Sequence, residues 1–389
     1  MGKTHKPLSG ITVIDMTRIL AGPFATMILG QLGATIIKVE SPQGDDSRHF
    51  GPFLKMKDKV NRGLSAYFTS LNSGKKSIII DLKTKLGKQR LASLIRKADV
   101  LIENFRPGTL TKLGFTSKKL TQLNGSLIYL AISGFGATGP KAHRPAYDMI
   151  IQALSGLMSI TGPETDEKEG KSFPEFVRVG TSISDIVSGL YATISIVTSL
   201  YQRTKTKVGQ YTDLSMLDCT ITILENAIAR YQIEETVPKP LGTRHPSITP
   251  FESFQTKDSM IIIAAGNNSL FKNLCGILEC KELVTDPRFE NNEARTKHSK
   301  LLKTKLQRLL SQKPSSLWLK KLVEAGIPTA KINTISDLFT DDQIKARKML
   351  IPVKGTNNFC IPGSPLTPGN QEIKLPAAPH LGEHTDEFF

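Results

Sequence analysis

Residues 10–40 run Gly10-Ile-Thr-Val-Ile-Asp-Met16, a turn at Ala21-Gly-Pro23 opening a helix through Leu32, and then Ala34-Thr-Ile-Ile-Lys-Val-Glu40. The outer stretches are short β-branched runs, apolar at consecutive positions, as a strand buried on both faces reads. Ser77-Ile-Ile-Ile-Asp-Leu82, Val100-Leu-Ile-Glu-Asn-Phe105 and Leu127-Ile-Tyr-Leu-Ala-Ile-Ser133 repeat that pattern, with a helix predicted from about Lys85 to Ala98. Strands alternating with helical patterns of about 10–15 residues predict an α/β fold, a parallel sheet with helices on both faces. Ligands of such sheets bind at the carboxyl ends of the strands.

Further along, Ile183–Leu200 predicts a long helix, and Gly209-Gln-Tyr-Thr-Asp213 starts another strand–helix unit ending near Gln232. Residues 234–250 are rich in Pro, Thr and Glu and read as a linker. A hairpin follows, Phe251-Glu-Ser-Phe254 with Met260-Ile-Ile-Ile-Ala264, turned at Lys257-Asp258, and then helices near Leu270–Glu279, Lys300–Leu310 and Ser315–Ala325. The division expected is a large domain over 1–232 and a smaller α/β domain over 233–325. Strand and helix signals return from Pro328, ending in a Pro/Gly-rich tail, Pro362 to Gly382, expected to cross the surface.

Composition bounds the function. The 389 residues are 39% hydrophobic and 22% charged, an ordinary soluble composition with room for two or three domains. A net charge of +16, from 51 basic and 35 acidic residues, draws attention to polyanionic partners. The bases are scattered, at Lys75-Lys76, Lys118-Lys119, Arg203 to Lys207, Lys300 to Lys305 and Lys320-Lys321. No zinc finger, recognition helix or aromatic ribonucleoprotein pattern accompanies them, so nucleic acid is not an expected partner. A small polyphosphorylated ligand fits, and so does a merely basic surface. Cys219, Cys275, Cys280 and Cys360 lack metal-ligand spacing and read as reduced core thiols, so no metal and an intracellular compartment are expected. Met1-Gly-Lys-Thr-His-Lys6 holds no apolar run and predicts no signal peptide. Ile183–Leu200 has the length of a membrane span, but Asp185, four serines and two threonines in it predict a helix buried in protein.

Asp185 is the single charge in that stretch. A carboxylate in a low dielectric is costly unless it is paired, hydrogen-bonded or used. It reads either as a cap on the helix's first turn or as a working acid. Gly134-Phe-Gly136-Ala-Thr-Gly139 has the spacing of a dinucleotide fingerprint and follows a strand, but Pro140 and Pro145 stop a helix from starting there. It reads as a glycine-rich loop. No serine sits in a nucleophile elbow. His245, in Gly242-Thr-Arg-His-Pro-Ser247, reads as a loop residue or a catalyst.

Nine blocks then fall in order. They are Ile14-Asp-Met-Thr-Arg-Ile-Leu-Ala-Gly-Pro23, Leu32-Gly-Ala-Thr-Ile-Ile-Lys-Val-Glu40, Gly44-Asp-Asp-Ser-Arg48, Leu71-Asn-Ser-Gly-Lys-Lys-Ser77 and Glu103-Asn-Phe-Arg-Pro-Gly108, followed by Ser133-Gly-Phe-Gly136, Ala146-Tyr-Asp148, Gly242-Thr-Arg-His245 and Leu381-Gly-Glu-His-Thr385. Together they resemble the class III CoA-transferase (CaiB/BaiF) family over nearly the whole chain. A narrower likeness, to glutarate-activating members, lies in the Tyr147-Asp148 block, Gly156-Leu-Met-Ser-Ile-Thr-Gly-Pro-Glu164 and the Gly242 loop.

The resemblance implies a Rossmann-like large domain built from both chain ends, completed by 326–389, a smaller α/β domain between them, and an interlocked, ring-like homodimer. It implies transfer of coenzyme A from succinyl-CoA or hydroxymethylglutaryl-CoA to a dicarboxylate such as glutarate. Coenzyme A is then a substrate carrier, no cofactor is permanently bound, and the partners are acyl-CoA and small dicarboxylic acids. A mitochondrial location is implied, with the cytoplasm as alternative. Asp185 matches the family nucleophile, which is to be ionised by the helix start and screened from water. Ile19, Leu20, Ala21, Leu71, Asn72, Ser73, Gly74, Asn104, Phe105, Arg106 and Lys112 are implied to line the coenzyme site, with Arg106 and Lys112 facing phosphates and Lys75 near. Tyr147 and Asp148 are implied to border the thioester, while Arg48 and Arg244 are candidates for the far carboxylate of the substrate, with a structural ion pair to Asp45 or Asp46 as the alternative for Arg48. Gly242, Thr243, Arg244 and His245 are candidate substrate residues, and backbone N–H groups of the Gly242–Ser247 loop are candidate oxyanion donors.

Departures narrow the implication. Members acting on formyl-CoA and oxalate carry Gln where Leu20 stands, Lys where Pro145 stands and a glycine run at Gly242–His245, which points away from oxalate. Racemase members place a catalytic His where Tyr147 sits, leaving a 2-methylacyl-CoA racemase as the alternative enzyme. Family members usually continue beyond the position of Phe389 with terminal helices, which leaves an inactive CoA-binding homologue as the other alternative.

Overall fold

The structure is a computed structural model and describes residues 6–54, 63–164, 175–366 and 375–389. Part of the tail expected to cross the surface, 367–374, lies outside the described residues, as does the start of the chain, 1–5. The chain divides into a larger compact unit, Met1–Leu157 with Arg178–Glu235 and Asp341–Phe389, and a smaller one, Met158–Val177 with Thr236–Thr340.

In chain order the larger unit begins β1 (Thr12–Asp15), α1 (Ala21–Gln31), β2 (Thr35–Glu40), α2 (Ala66–Asn72), β3 (Lys76–Ile79), α3 (Lys85–Ile95) and β4 (Val100–Glu103). It continues with α4 (Thr109–Lys112), α5 (Ser117–Leu123), β5 (Ile128–Ser133), α6 (Asp148–Leu154), α7 (Ile183–Thr206), β6 (Tyr211–Ser215), α8 (Met216–Thr222) and α9 (Glu225–Glu234). The strands form one six-stranded sheet, all parallel, in the order β3-β2-β1-β4-β5-β6. This is the strand order of dinucleotide-binding folds, and its direction of winding reverses between β1 and β4.

Side chains alternate across each strand, so neighbouring residues serve opposite layers. Val13, Ile36, Val100 and Ile102 pack with Ala25 and Leu29 of α1 and Ala192 and Ile196 of α7. Ile14, Ile37, Ile78 and Leu101 pack with Leu91 and Ile95 of α3 and Leu120 of α5. The α/β sandwich expected from the strand pattern is therefore present, and no helix starts after β5 until Asp148.

The sequence predicts α7 as a helix buried in protein, but only one side is. Val187, Ala192, Ile196 and Leu200 are buried, while Leu190, Ile194, Val197 and Tyr201 form an exposed apolar stripe. Among the described residues α7 is the helix long and apolar enough to cross a bilayer, with half of its apolar window buried. All four cysteines are unbridged, and three are buried.

The smaller unit holds an antiparallel sheet of β7 (Phe251–Gln255), β8 (Met260–Ala264) and β9 (Thr329–Lys331). Five helices pack on it: α10 (Asn268–Ile277), α11 (Glu282–Thr285), α12 (Asn292–Lys297), α13 (Ser299–Leu310) and α14 (Ser315–Glu324). Phe254, Ile261, Ile263, Phe271, Leu274, Leu306 and Trp318 form its core. This unit runs past residue 325, where the sequence reading ends it, because β9 hydrogen-bonds to β8. It also gathers in Met158–Val177, where the Gly162 carbonyl accepts Gly242 N–H.

Candidate active site

The winding reversal puts the turn after β1 beside the end of β4, and the backbone of that turn is fixed one group at a time. Thr17 N–H donates to Asp15 (2.9 Å), and the Thr17 carbonyl accepts from the Lys38 ammonium (2.9 Å). Arg18 N–H donates to Asn104 Oδ1 and its carbonyl accepts from Asn104 Nδ2, both at 2.8 Å. Ile19 N–H donates to both carboxylate oxygens of Asp45, at 3.2 and 3.3 Å. Ile19 has φ +69°, a left-handed conformation that is a genuine outlier for a β-branched side chain.

Behind the turn lies a buried ionic cluster. Lys38 pairs with Asp45 at 2.9 Å, and Lys75 pairs with Asp15 at 3.1 Å. Burial alone disfavours the Asp15 carboxylate, but Lys75 and Lys38, helped by the Thr17 and Thr26 hydroxyls, hold it down at about 2. Burial brings Lys75 down to about 8 despite Asp15.

A second anchor positions Asp185. The Asp148 carboxylate, at the start of α6, accepts the N–H groups of Ser184 (2.9 Å) and Asp185 (3.4 Å) and so caps α7 from outside. Its other oxygen accepts from the Gln152 amide (2.7 Å), whose own carbonyl receives Val179 N–H (2.9 Å). Among the described residues no group donates to the Asp185 carboxylate. Burial, reinforced by the neighbouring Asp148 charge, pushes Asp185 up to about 7. The sequence reading has the helix start hold Asp185 ionised; its surroundings instead leave it half-protonated near neutrality.

One turn along α7, a Cβ on Gly189 would lie 2.8 Å from the Ala21 carbonyl oxygen and 2.9 Å from the Phe24 ring. Only glycine lets α7 cross α1 this closely, with Gly189 packed on the Ala21 carbonyl that follows the Ile19 turn. From α2, Tyr67 completes the cluster. Burial first, then the Asp185, Asp45 and Asp148 carboxylates, raise its phenol to about 12, so it stays a neutral hydroxyl. Tyr67 is missing from the sequence reading because residues 41–76 show no clear periodicity; the signal available was the Ser65 N-cap of α2, which accepts Phe68 N–H at 3.1 Å.

A cavity of about 240 Å³ opens at the carboxyl ends of β1 to β4. Met16, Thr17 and Arg18 line it with Ser41 to Asp45, Ile80 to Lys83, Phe105 and Leu113. Leu71, Asn72, Ser73, Gly74 and Lys75, expected at the coenzyme site, do not line it. Leu71 and Asn72 are buried, the Ser73 hydroxyl turns back to the Thr69 carbonyl, and Gly74 is an exposed left-handed turn with φ +81°. Lys75 is sealed inside, its ammonium held by Asp15, the Pro23 carbonyl and Thr26. The chain surfaces beside the cavity one strand later, at Ile80 to Lys83. Arg106 and Lys112 are exposed on the segment after β4, and Tyr147 is 71% exposed at the start of α6.

Arg48 is also corrected. Its guanidinium grips Glu40 through Nε (2.8 Å) and an NH2 nitrogen (2.6 Å), donates to the Pro379 carbonyl (2.9 Å) and stacks 3.8 Å over Phe68. It is a structural residue and not a free fork for substrate.

In the smaller unit, Gly242 N–H is taken by Gly162, Arg244 N–H by Leu241 and His245 N–H by Phe251, all carbonyls, so these three expected oxyanion donors are already engaged. Thr243 is fixed by its hydroxyl to Ser253 (2.7 Å), and the His245 ring stacks on Phe251. Arg244 differs. Its Nε is buried without a hydrogen-bond partner, and the guanidinium stands 3.8 Å from Glu164.

Comparison with known proteins agrees with this architecture. A profile described as CoA-transferase family III matches residues 8–385. An acetyl-CoA:oxalate CoA-transferase of Acetobacter aceti is 40% identical over 98% of this chain and 94% of its own length. A succinate–glutarate CoA-transferase of Agrobacterium fabrum is 37% identical, covering 99% and 95%. A crystal structure of a CaiB/BaiF family protein from Brucella suis superposes with a TM-score of 0.85 at 37% identity, covering 99% of this chain and 98% of that one.

Proposed function

The chain belongs to CoA-transferase family III and is an enzyme that uses CoA thioesters as substrates, and we propose that it moves coenzyme A from succinyl-CoA to a small dicarboxylate, glutarate first, through Asp185. The observation that carries this reading is an acid held at about 7 by burial and its Asp148 neighbour, placed by the Gly189 crossing against the turn that ends β1.

In the ionised form, Asp185 attacks the thioester carbonyl of the donor. The C–S bond breaks, the thiolate leaves, and an aspartyl–acyl anhydride remains. The thiolate then attacks the aspartyl carbonyl, releasing the donor acid and leaving an aspartyl thioester. The acceptor carboxylate attacks that thioester to form a new anhydride, and the returning thiolate attacks its acceptor-derived carbonyl, freeing Asp185 and the product acyl-CoA. Covalent capture keeps the thioester energy from hydrolysis. Tyr67, a neutral hydroxyl in the field of Asp185, is suited to donate toward the oxyanion of these steps.

The coenzyme's nucleotide fits the cavity at the ends of β1 to β4, with Phe105 in its wall and the exposed Lys83, Arg106 and Lys112 available to phosphates. Ile19, Leu20, Ala21 and Asn104 would then flank the pantetheine arm. The 40% identity to an oxalate-acting relative makes oxalate the acceptor to compare with glutarate. A homodimer is supported by the exposed stripe Leu190, Ile194, Val197 and Tyr201 and by Ile228, Tyr231 and Ile233 on α9.

Incubation with succinyl-CoA and glutarate, followed by mass spectrometry, should yield glutaryl-CoA and succinate. Product with oxalate but not glutarate would redirect the acceptor; no product with any dicarboxylate would refute the transferase reading. Light scattering should give the mass of two chains.

A further inference from the structure

We infer that Asp45, tethered by the buried Lys38, is a positioning residue that holds Ile19 in its left-handed conformation and thereby shapes the coenzyme-binding turn. The inference rests on the reading that this turn receives coenzyme A.

Five consecutive backbone polar groups, Thr17 N–H through Ile19 N–H, are satisfied by side chains, the first by Asp15 of β1 itself and the others by Lys38, Asn104 and Asp45. Four of these contacts cost the chain little, because Thr17 and Arg18 are not forced into positive φ. The fifth falls on Ile19, whose branched Cβ crowds its own backbone at φ +69°. A strained residue persists only where its surroundings over-determine it. Asp45 supplies that restraint. It is 1% exposed, takes the Ile19 N–H on both oxygens, and is itself fixed by Lys38 and by the N–H and hydroxyl of Ser47. Its own N–H is anchored on Glu40. The fully buried Lys38 reaches both the Thr17 carbonyl and Asp45, so one ammonium sets the two ends of the turn at once.

A double-mutant cycle tests this, with Asp45→Asn, Ile19→Gly and the pair, read as the dissociation constant for free coenzyme A by calorimetry. Glycine adopts the left-handed region without strain, so it has less need of the restraint. Asp45→Asn alone should weaken binding about tenfold, the scale on which such strain acts. In the Ile19→Gly background the same change should cost less than about threefold, a non-additivity that only coupled residues show. Equal losses in both backgrounds would overturn the inference. Should Asp45→Asn not fold, Ser47→Ala, which loosens Asp45 and keeps its charge, replaces it in the same cycle. Wild-type protein that binds no coenzyme A would instead refute the transferase reading, an outcome distinct from additive losses.

Discussion

Gly189 lies where any side chain would strike the carbonyl oxygen of Ala21, and that near-contact fixes the distance between the helix bearing Asp185 and the turn after β1. Asp185 sits four residues before this glycine, one turn back along the same helix.

Gly189→Ala should therefore hurt function more than its size suggests. The backbone oxygen at 2.8 Å cannot rotate aside, so α7 must move. Overpacking of this kind costs about 1–3 kcal/mol, more than the helix propensity that alanine gains. A displacement near 1 Å at a reacting group can cost about a hundredfold in rate. Thermal melts and steady-state kinetics should show a modest loss of stability beside a far larger loss of kcat; unchanged kcat would count against the crossing as the positioning device.

The proposed attack requires Asp185 ionised, and its surroundings hold it at about 7. The logarithm of kcat/KM should rise with unit slope through pH 6 and level off above about 7. Asp148→Asn removes the like charge but keeps an oxygen to cap α7, so the inflection should move to lower pH. A profile that is flat from pH 5 to 8 in the wild type would separate Asp185 from the chemistry.

The same acid costs stability. Its folded value near 7 lies above its ordinary 3.8, so between those values the unfolded chain gives up the proton that the folded chain keeps. Unfolding is increasingly favoured across that window, and above about 7 the whole cost is present. Asp185→Asn should be nearly neutral below pH 4 and increasingly stabilising up to pH 7, with a constant gain above. Melting temperatures of both proteins from pH 4 to 9 test this; a gain that shrinks with rising pH contradicts it.

Arg48→Leu separates structure from specificity. Glu40 would be left buried without its guanidinium, a loss of about 3–5 kcal/mol. The ratio of kcat/KM for glutarate over oxalate should not change, since Arg48 is engaged with Glu40, Pro379 and Phe68. A changed ratio in folded protein would return Arg48 to the substrate.

The sheet is legible in the sequence because β-branched runs such as 12–15 and 35–40 have few alternatives once helices separate them. Asp185 stands out for a similar reason, a lone charge in an apolar helix. What contact alone decides is not legible. Arg48 could have met Asp45, Asp46 or Glu40, and only the fold selects Glu40. Lys75 sits beside Lys76 in sequence, yet alternation turns it into the core toward Asp15 while Lys76 meets Glu387 at the surface. Tyr67 gains meaning from carboxylates on three distant segments. The Gly162 carbonyl meets Gly242 N–H through a backbone bond that carries no residue signature.

Intact-mass analysis of the enzyme during turnover with succinyl-CoA, with peptide mapping after hydroxylamine trapping, asks most directly whether this carboxylate becomes bonded to the carrier. A coenzyme A adduct and a hydroxamate, both on Asp185 and both lost in Asp185→Ala, are expected. Full turnover by Asp185→Ala, or an adduct mapped to any other residue, would contradict the assignment.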